Sequence, residues 1–417
     1  MRFLIFCILC IFSSFNLEAA VWNDNQTWSL HYEEEFSKWM SSGNVHEYMF
    51  VDPNGPYYGI NADCADSAYA LRAIFSFEHK LPFVIHEPTS KIFLFETINN
   101  RQNKWDNAGD EKGRLIAMIN EIGTSTGTED LSFYDTYPVS IKGITAGAIF
   151  MTQTALESGH LVRHTYNIKK INPTGSFDVL YSSENIEKNN TPMIRRKDID
   201  FDILPVSPYG FRKFRWPDQL GKDINKFPLE LKASNEQYDL AAKLGKDGFF
   251  NLVKKTISTV EETGEEKIRR AFNTVCLESK ERIIVVNQAQ QRLKEIGNTC
   301  MDYKDFDIYS TPSRDISLRE SFFSFERIYF ELKKMRKLKS LSSEMLKFAE
   351  IIFQNKINSD QDLLKACPIN YSEGKVVDLA ALWERIYFEK ITSHPNDIIN
   401  VRWGEVLSPR TKCKIWY

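Results

Sequence analysis

Apolar residues recur along this chain at two periods, and the alternation between them predicts its elements. After Cys64, the residues Ala68, Leu71, Ile74, Phe75 and Phe77 fall at helical spacing, which predicts a buried helix of about four turns. Asp63 stands where an N-cap belongs, and Asp66 three residues on can return the capping interaction. The helix should end near Lys80, because Leu81 precedes a proline and is pushed out of the helical region. A shorter amphipathic helix is expected from Glu33 to Met40, with Phe36, Trp39 and Met40 on one side. VDPNGPYYG (51–59) is a turn-rich approach to the main helix, and LIAMINEIG (115–123) reads as a short helix after a polar loop.

The period then shortens. FVIHEP (83–88) and KIFLFETI (91–98) read as extended, as does Ala148-Ile149-Phe150-Met151. HTYNIKKI (164–171) and SFDVLYSS (176–183) flank Asn172-Pro173-Thr174-Gly175, a hairpin signal. One buried helix followed by antiparallel strands makes an α+β pattern. SPYGFRKFRWP (207–217) is expected to close this first domain, its aromatics packed on the sheet and its cations in water. From about residue 226 the segments become long, charged and helix-favouring, so the expected organisation is an α+β domain over 21–225 and an all-α domain over 226–417. Glu326–Glu331 and Glu384–Glu389 share the hexapeptide ERIYFE, a short internal echo. The basic run KKMRKLK (333–339) is read as a solvated helix face.

Composition changes the picture mainly at the N-terminus and in the cysteines. The 417 residues, 42% hydrophobic and 26% charged, suffice for two cores. A net charge of −3 supplies no basic field for nucleic acid. Arg2 followed by FLIFCILCIFSSF has the length of a secretory signal core, so residues 1–20 are expected to be a cleaved signal and the protein to be exported to the periplasm or outside the cell. No apolar run of eighteen or more follows, so no transmembrane segment is expected after the signal. Export implies an oxidising compartment, and the five remaining cysteines, Cys64, Cys276, Cys300, Cys367 and Cys413, leave one unpaired. The simplest pairings are Cys276 with Cys300 and Cys367 with Cys413, which makes Cys64 the free thiol.

A thiol in the first turn of a buried helix meets unpaired amides and the positive end of the helix dipole, both of which favour thiolate. The flanking Asp63 and Asp66 oppose that shift. Nucleophilic chemistry further needs a base and a group to orient it. His164 opens a later strand and Asp178 lies on the strand that pairs back, so Cys64, His164 and Asp178 form a candidate triad, with His160 as the alternative base. Backbone amides at the helix start, with Tyr58 as a side-chain donor, would form the oxyanion site. His31, His46, His79, His86 and His394 have no metal-ligand spacing, and neither metal nor cofactor is expected.

These residues resemble a known family. Asp63-Cys64-Ala65-Asp66 at a helix start, Ala146-Gly147-Ala148-Ile149-Phe150, and Ser158-Gly159-His160 before a strand are similar to the papain-like fold of NlpC-type cell-wall endopeptidases and amidases. Transglutaminase-like proteins share the Cys, His, Asp order. The resemblance covers roughly residues 55–185. It implies a cysteine peptidase or amidase acting on a peptide or on peptidoglycan, with transglutaminase-like amide transfer as one alternative. The other is a non-catalytic exported binder whose helical half holds a protein partner. Ala146-Gly147-Ala148 lacks the acid usual in the family's turn, and the hundred residues between Cys64 and the histidines imply an insertion.

Overall fold

The computed structural model describes residues 20–88, 96–156, 158–182, 191–354 and 360–417. The expected signal lies outside them up to residue 19, as does most of the extended segment expected at 91–98.

The chain is an α+β structure with a helical C-terminal region. Its N-terminal helices are α1 (Leu30–Ser41), α2 (Cys64–Glu78), α3 (Glu111–Ser125) and the short α4 (Thr128–Asp130). A small ribbon pairs β1 (Val84–His86) with β2 (Thr97–Asn99). The main sheet contains β3 (Thr136–Pro138), β4 (Ile149–Ala155), β5 (Leu161–Ile171), β6 (Phe177–Tyr181), β7 (Ile194–Ile199) and β8 (Gly210–Phe214). Its strand order is β3-β8-β4-β5-β6-β7, and every pair is antiparallel.

The capping box at α2 forms as its sequence requires: Asp63 accepts from the amides of Ala65 and Asp66, and Asp66 accepts from that of Asp63. Twelve of its fifteen residues are buried, which places α2 at the centre of a core with α1, α3 and the inner face of the sheet. The helix stops at Glu78, and Lys80 takes a left-handed conformation with φ +52° ahead of Leu81-Pro82.

Residues 207–217 depart from expectation. They supply β8, which lies inside the sheet between β3 and β4 rather than closing a domain. Arg212 is 3% exposed, not wet. Its guanidinium donates to Thr136 Oγ1 at 2.7 Å, Ser132 O at 2.6 Å and Thr136 O at 2.9 Å. Five donors allow an arginine to saturate carbonyls that would otherwise be buried without partners.

The helical region starts with α5 (Glu236–Ile257), kinked at Gly245, where φ is +65°. The composition changes at 226, yet α5 packs on the outer face of the sheet: Ala241, Phe249 and Val253 share a core with Phe150, Phe177 and Phe211. Gln237 on α5 is fully buried and bonds both the amide and the carbonyl of Phe211, at 2.8 and 2.9 Å. The remaining helices are α6 (Gly264–Glu295), α7 (Tyr303–Tyr309), α8 (Pro312–Lys334), α9 (Ser343–Phe353), α10 (Gln361–Ala366), α11 (Leu379–Tyr387) and α12 (Ile399–Arg402). A second ribbon pairs β9 (Ile369–Ser372) with β10 (Lys375–Val377). Among the described residues no helix is long and apolar enough to cross a membrane.

Two disulfides tie this region, but in a different pairing from the expected one: Cys276 bonds Cys367, and Cys300 bonds Cys413. The reason is helical rise. Cys276 lies within the 32-residue α6 and Cys300 just beyond its end. Twenty-four residues of nearly continuous helix span roughly 36 Å, far beyond the ~7 Å that a disulfide bridges. Cys64 is left as the free thiol.

Candidate functional site at the start of α2

Cys64 sits at the first position of α2, partly buried against the middle of β5. Its Sγ is 3.8 Å from Thr128 Oγ1, and that hydroxyl is 3.5 Å from Thr165 Oγ1. The backbone amide of Thr165 also points at the sulfur and favours its ionised form. These contacts do not prevail. Burial, with the charges of Asp63 and Asp66 added, pushes the Cys64 thiol up to about 12. The helix-start amides cannot reverse this, because those of Ala65 and Asp66 are spent on Asp63 Oδ1, at 2.9 and 3.2 Å. The capping box that builds the helix therefore consumes donors an oxyanion site would need.

Strand parity decides what faces the sulfur. Thr165, Asn167 and Lys169 of β5 point to the inner face: Asn167 Nδ2 donates to Ser67 Oγ of α2 at 3.0 Å, and Lys169 Nζ donates to the carbonyls of Met40, Ser42 and Val45. His164 and Tyr166 alternate with them and point outward. The His164 ring lies edge-on to Tyr166 and Tyr181, with centroids 4.5 and 4.9 Å apart. Burial, followed by repulsion from Arg314 and Arg196, lowers its pKa to about 3. The imidazole and the thiol thus lie on opposite faces of one strand, and the expected pair does not assemble.

Asp178 is on the inner face but at the wrong end. It pairs in register with Lys170, five residues along β5 from Thr165, which is roughly 17 Å of strand. There it accepts from Asn172 Nδ2 and the Asp198 amide, both at 3.0 Å, and lies 3.6 Å from Arg195. It orders the Asn172–Gly175 hairpin rather than orienting a histidine. His160 is in the β4–β5 turn, stacked on Tyr417 at 4.2 Å, so it faces the helical region. Tyr58 lies in the turn ahead of α2, with its side chain 42% exposed.

The residues opposite Cys64 are ones that sequence reasoning passed over. Asn167 pairs with Leu180, so the same register carried two residues on sets Ser182 beside Thr165. Thr165, with Ser182 beside it by that register, is therefore what β5 and the end of β6 present at the level of Cys64. Thr128, which touches the sulfur, lies in α4, outside the elements expected from the sequence pattern. Among the described residues, no group of three or more histidine, cysteine or acidic side chains could hold a metal ion. The chain matches no family model, no curated protein and no solved structure.

Proposed function

We propose that the chain is a non-catalytic exported binding protein on a papain-like scaffold, in which a nucleophile-type helix carries a thiol with no base opposite it. One observation carries this reading: β5 presents Thr165, not an imidazole, to Cys64. A thiol pushed up to about 12 is almost entirely protonated at neutral pH, and a hydroxyl-bearing neighbour cannot take its proton. Two disulfides in the helical region fit an oxidising, exported setting. The binding role falls to the junction of the sheet with the helical half, where Arg196 of β7 meets Glu278 and Glu281 of α6.

Iodoacetamide labelling of the intact protein across pH, with the adduct mapped by mass spectrometry, tests the reading. Slow labelling of Cys64 at pH 7, rising only above about pH 9, is the expected result. Selective labelling at Cys64 with a midpoint below pH 8 would replace the binder by a thiol enzyme.

A further inference from the structure

Between the outer face of the sheet and helices α5, α6 and α8 lies a cavity of about 210 Å³. Its sheet-side wall is aromatic. Phe150, Tyr166, Phe177 and Phe201 line it, with the Phe150 and Phe201 rings 4.0 Å apart, and Phe250 of α5 faces them. The helical wall brings Glu278 from α6 and Ser317 and Ser321 from α8, and Asp202 joins from the chain after β7.

The hydrogen bonding here is incomplete on the acidic side. Each cation with its head in the inner walls has an acid: Arg196 bonds Glu278 at 3.1 Å and Glu281, Lys246 bonds Glu320 at 2.8 Å, and Arg270 bonds Glu262 at 2.6 Å and Asp200. The acids are not all answered. Glu278 is 8% exposed, and its Oε1 accepts from Arg196 and from Ser317 Oγ at 3.0 Å. Ser321 lies close enough to favour the ionised carboxylate, yet Glu278 Oε2 has no partner of hydrogen-bond geometry. Asp202 makes no ion pair among the described residues; Lys246, itself bonded to Glu320, is near enough to favour its ionised form, but burial prevails and raises both carboxyls above their ordinary range. A buried carboxylate oxygen without a partner is destabilising, and a cation placed there offsets that cost.

We propose that this cavity binds a small organic ammonium ion with an apolar body, its nitrogen between Glu278 Oε2 and Asp202 and its body against the rings of Phe150, Tyr166 and Phe201. The ligand class follows from the walls. An ammonium supplies the donor that Glu278 Oε2 lacks and the direct ion pair that Asp202 lacks, and aromatic faces attract cations as well as apolar groups. Size agrees: a cavity of about 150 Å³ accommodates benzene, so this one has room for a ring of that size and a short amine-bearing arm. The proposal deepens the reading of the chain as a binder. It does not depend on the state of Cys64, which lies on the other face of the sheet.

Isothermal titration of the intact, oxidised protein with phenethylammonium tests it, with phenylacetate as a probe of similar body and opposite charge. Phenethylammonium should bind at least tenfold more tightly than phenylacetate, and Glu278→Gln and Asp202→Asn should each weaken it at least tenfold. Thermal melts confirm that the variants fold, and Asp202→Asn, which breaks no ion pair, decides the matter if Glu278→Gln does not. Absence of binding at millimolar phenethylammonium, equal binding of phenylacetate, or an unchanged affinity in folded Asp202→Asn would each overturn the site. That failure is distinct from failure of the binder reading, which a reactive low-pKa Cys64 would signal whatever the amine does.

Discussion

On the inner face of the sheet, the polar side chains of β5 are met by neutral partners: Thr165 by Thr128, Asn167 by Ser67, and the Lys169 ammonium by three backbone carbonyls at 2.6–2.9 Å. On the outer face, Arg196 of β7 reaches across to Glu278 and Glu281 of α6, and Arg270 of α6 reaches back to Asp200 beyond the sheet. The inner face is a core into which a helix is locked. The outer face is a junction between two parts of the chain, held by charges that have lost most of their water. A thiol placed at the start of α2 on the first surface loses acidity because burial and the neighbouring Asp63 outweigh the hydroxyl of Thr128 and the amide of Thr165. Acids placed on the second are held in reserve by arginines, and a ligand able to complete the charge pairing has somewhere to bind.

The largest effect that could break this contrast is at Arg196. In Arg196→Ala, Glu278 and Glu281 keep their burial and lose their cation, so urea unfolding should register a loss of about 3–5 kcal/mol. A loss below about 1 kcal/mol would mean that the outer face is no more ionic in its energetics than an exposed surface.

The inner face makes a different prediction through Asp135, a fully buried carboxyl that accepts from the Tyr69 hydroxyl at 2.6 Å and the His86 amide at 2.7 Å. Burial outweighs those bonds and raises it from 3.8 to about 7. A carboxyl whose pKa is raised on folding takes up a proton more readily folded than unfolded. Its contribution is therefore complete below pH 3.8, falls as pH rises toward 7, and is gone above that. The associated loss between pH 4 and 7 is at most about 4 kcal/mol, at 1.36 kcal/mol per unit. Asp135→Asn should remove that share of the decline in a pH series of unfolding curves. An unchanged slope would show that Asp135 is already ionised in the fold and that the inner face tolerates charge.

Much of this architecture is legible in the chain. Asp63 and Asp66 announce the capping box, the periodicity after Cys64 gives α2, and Asn172–Gly175 marks the β5–β6 hairpin. The face of β5 is not legible, and the reason is physical. An antiparallel strand with one wet face betrays its parity by alternating apolar and polar residues, but β5 is covered on both sides. In HTYNIKKI the inward set, Thr165, Asn167 and Lys169, is the polar one, because α2 and the end of α1 offer hydroxyl and carbonyl partners. The outward set is aromatic and aliphatic because α5 and the helical region cover it. A one-residue change in parity moves every side chain to the other face, so a histidine at the opening of the strand and an acid on its partner do not by themselves tell which face the imidazole takes. The disulfide pairing was hidden for another reason: proximity in sequence is a poor guide when the intervening residues form one long helix.

The smallest effect is the one that discriminates most finely between the faces. His164→Ala removes an imidazole whose ring packs on Tyr166 and Tyr181, and should cost some stability through the space it leaves. It should leave the pH profile of iodoacetamide labelling at Cys64 unchanged, because the ring is on the far side of β5. Asp63→Asn is the matched positive control. Asparagine caps helices as well as aspartate does, so α2 should persist, but one of the charges that raise the thiol is gone. The labelling midpoint should then move to lower pH, with several-fold faster alkylation at pH 8–9. If His164→Ala instead slows labelling at Cys64 while Asp63→Asn does nothing, the imidazole reaches the sulfur after all, and the two faces of the sheet are not the separate environments their hydrogen bonds describe.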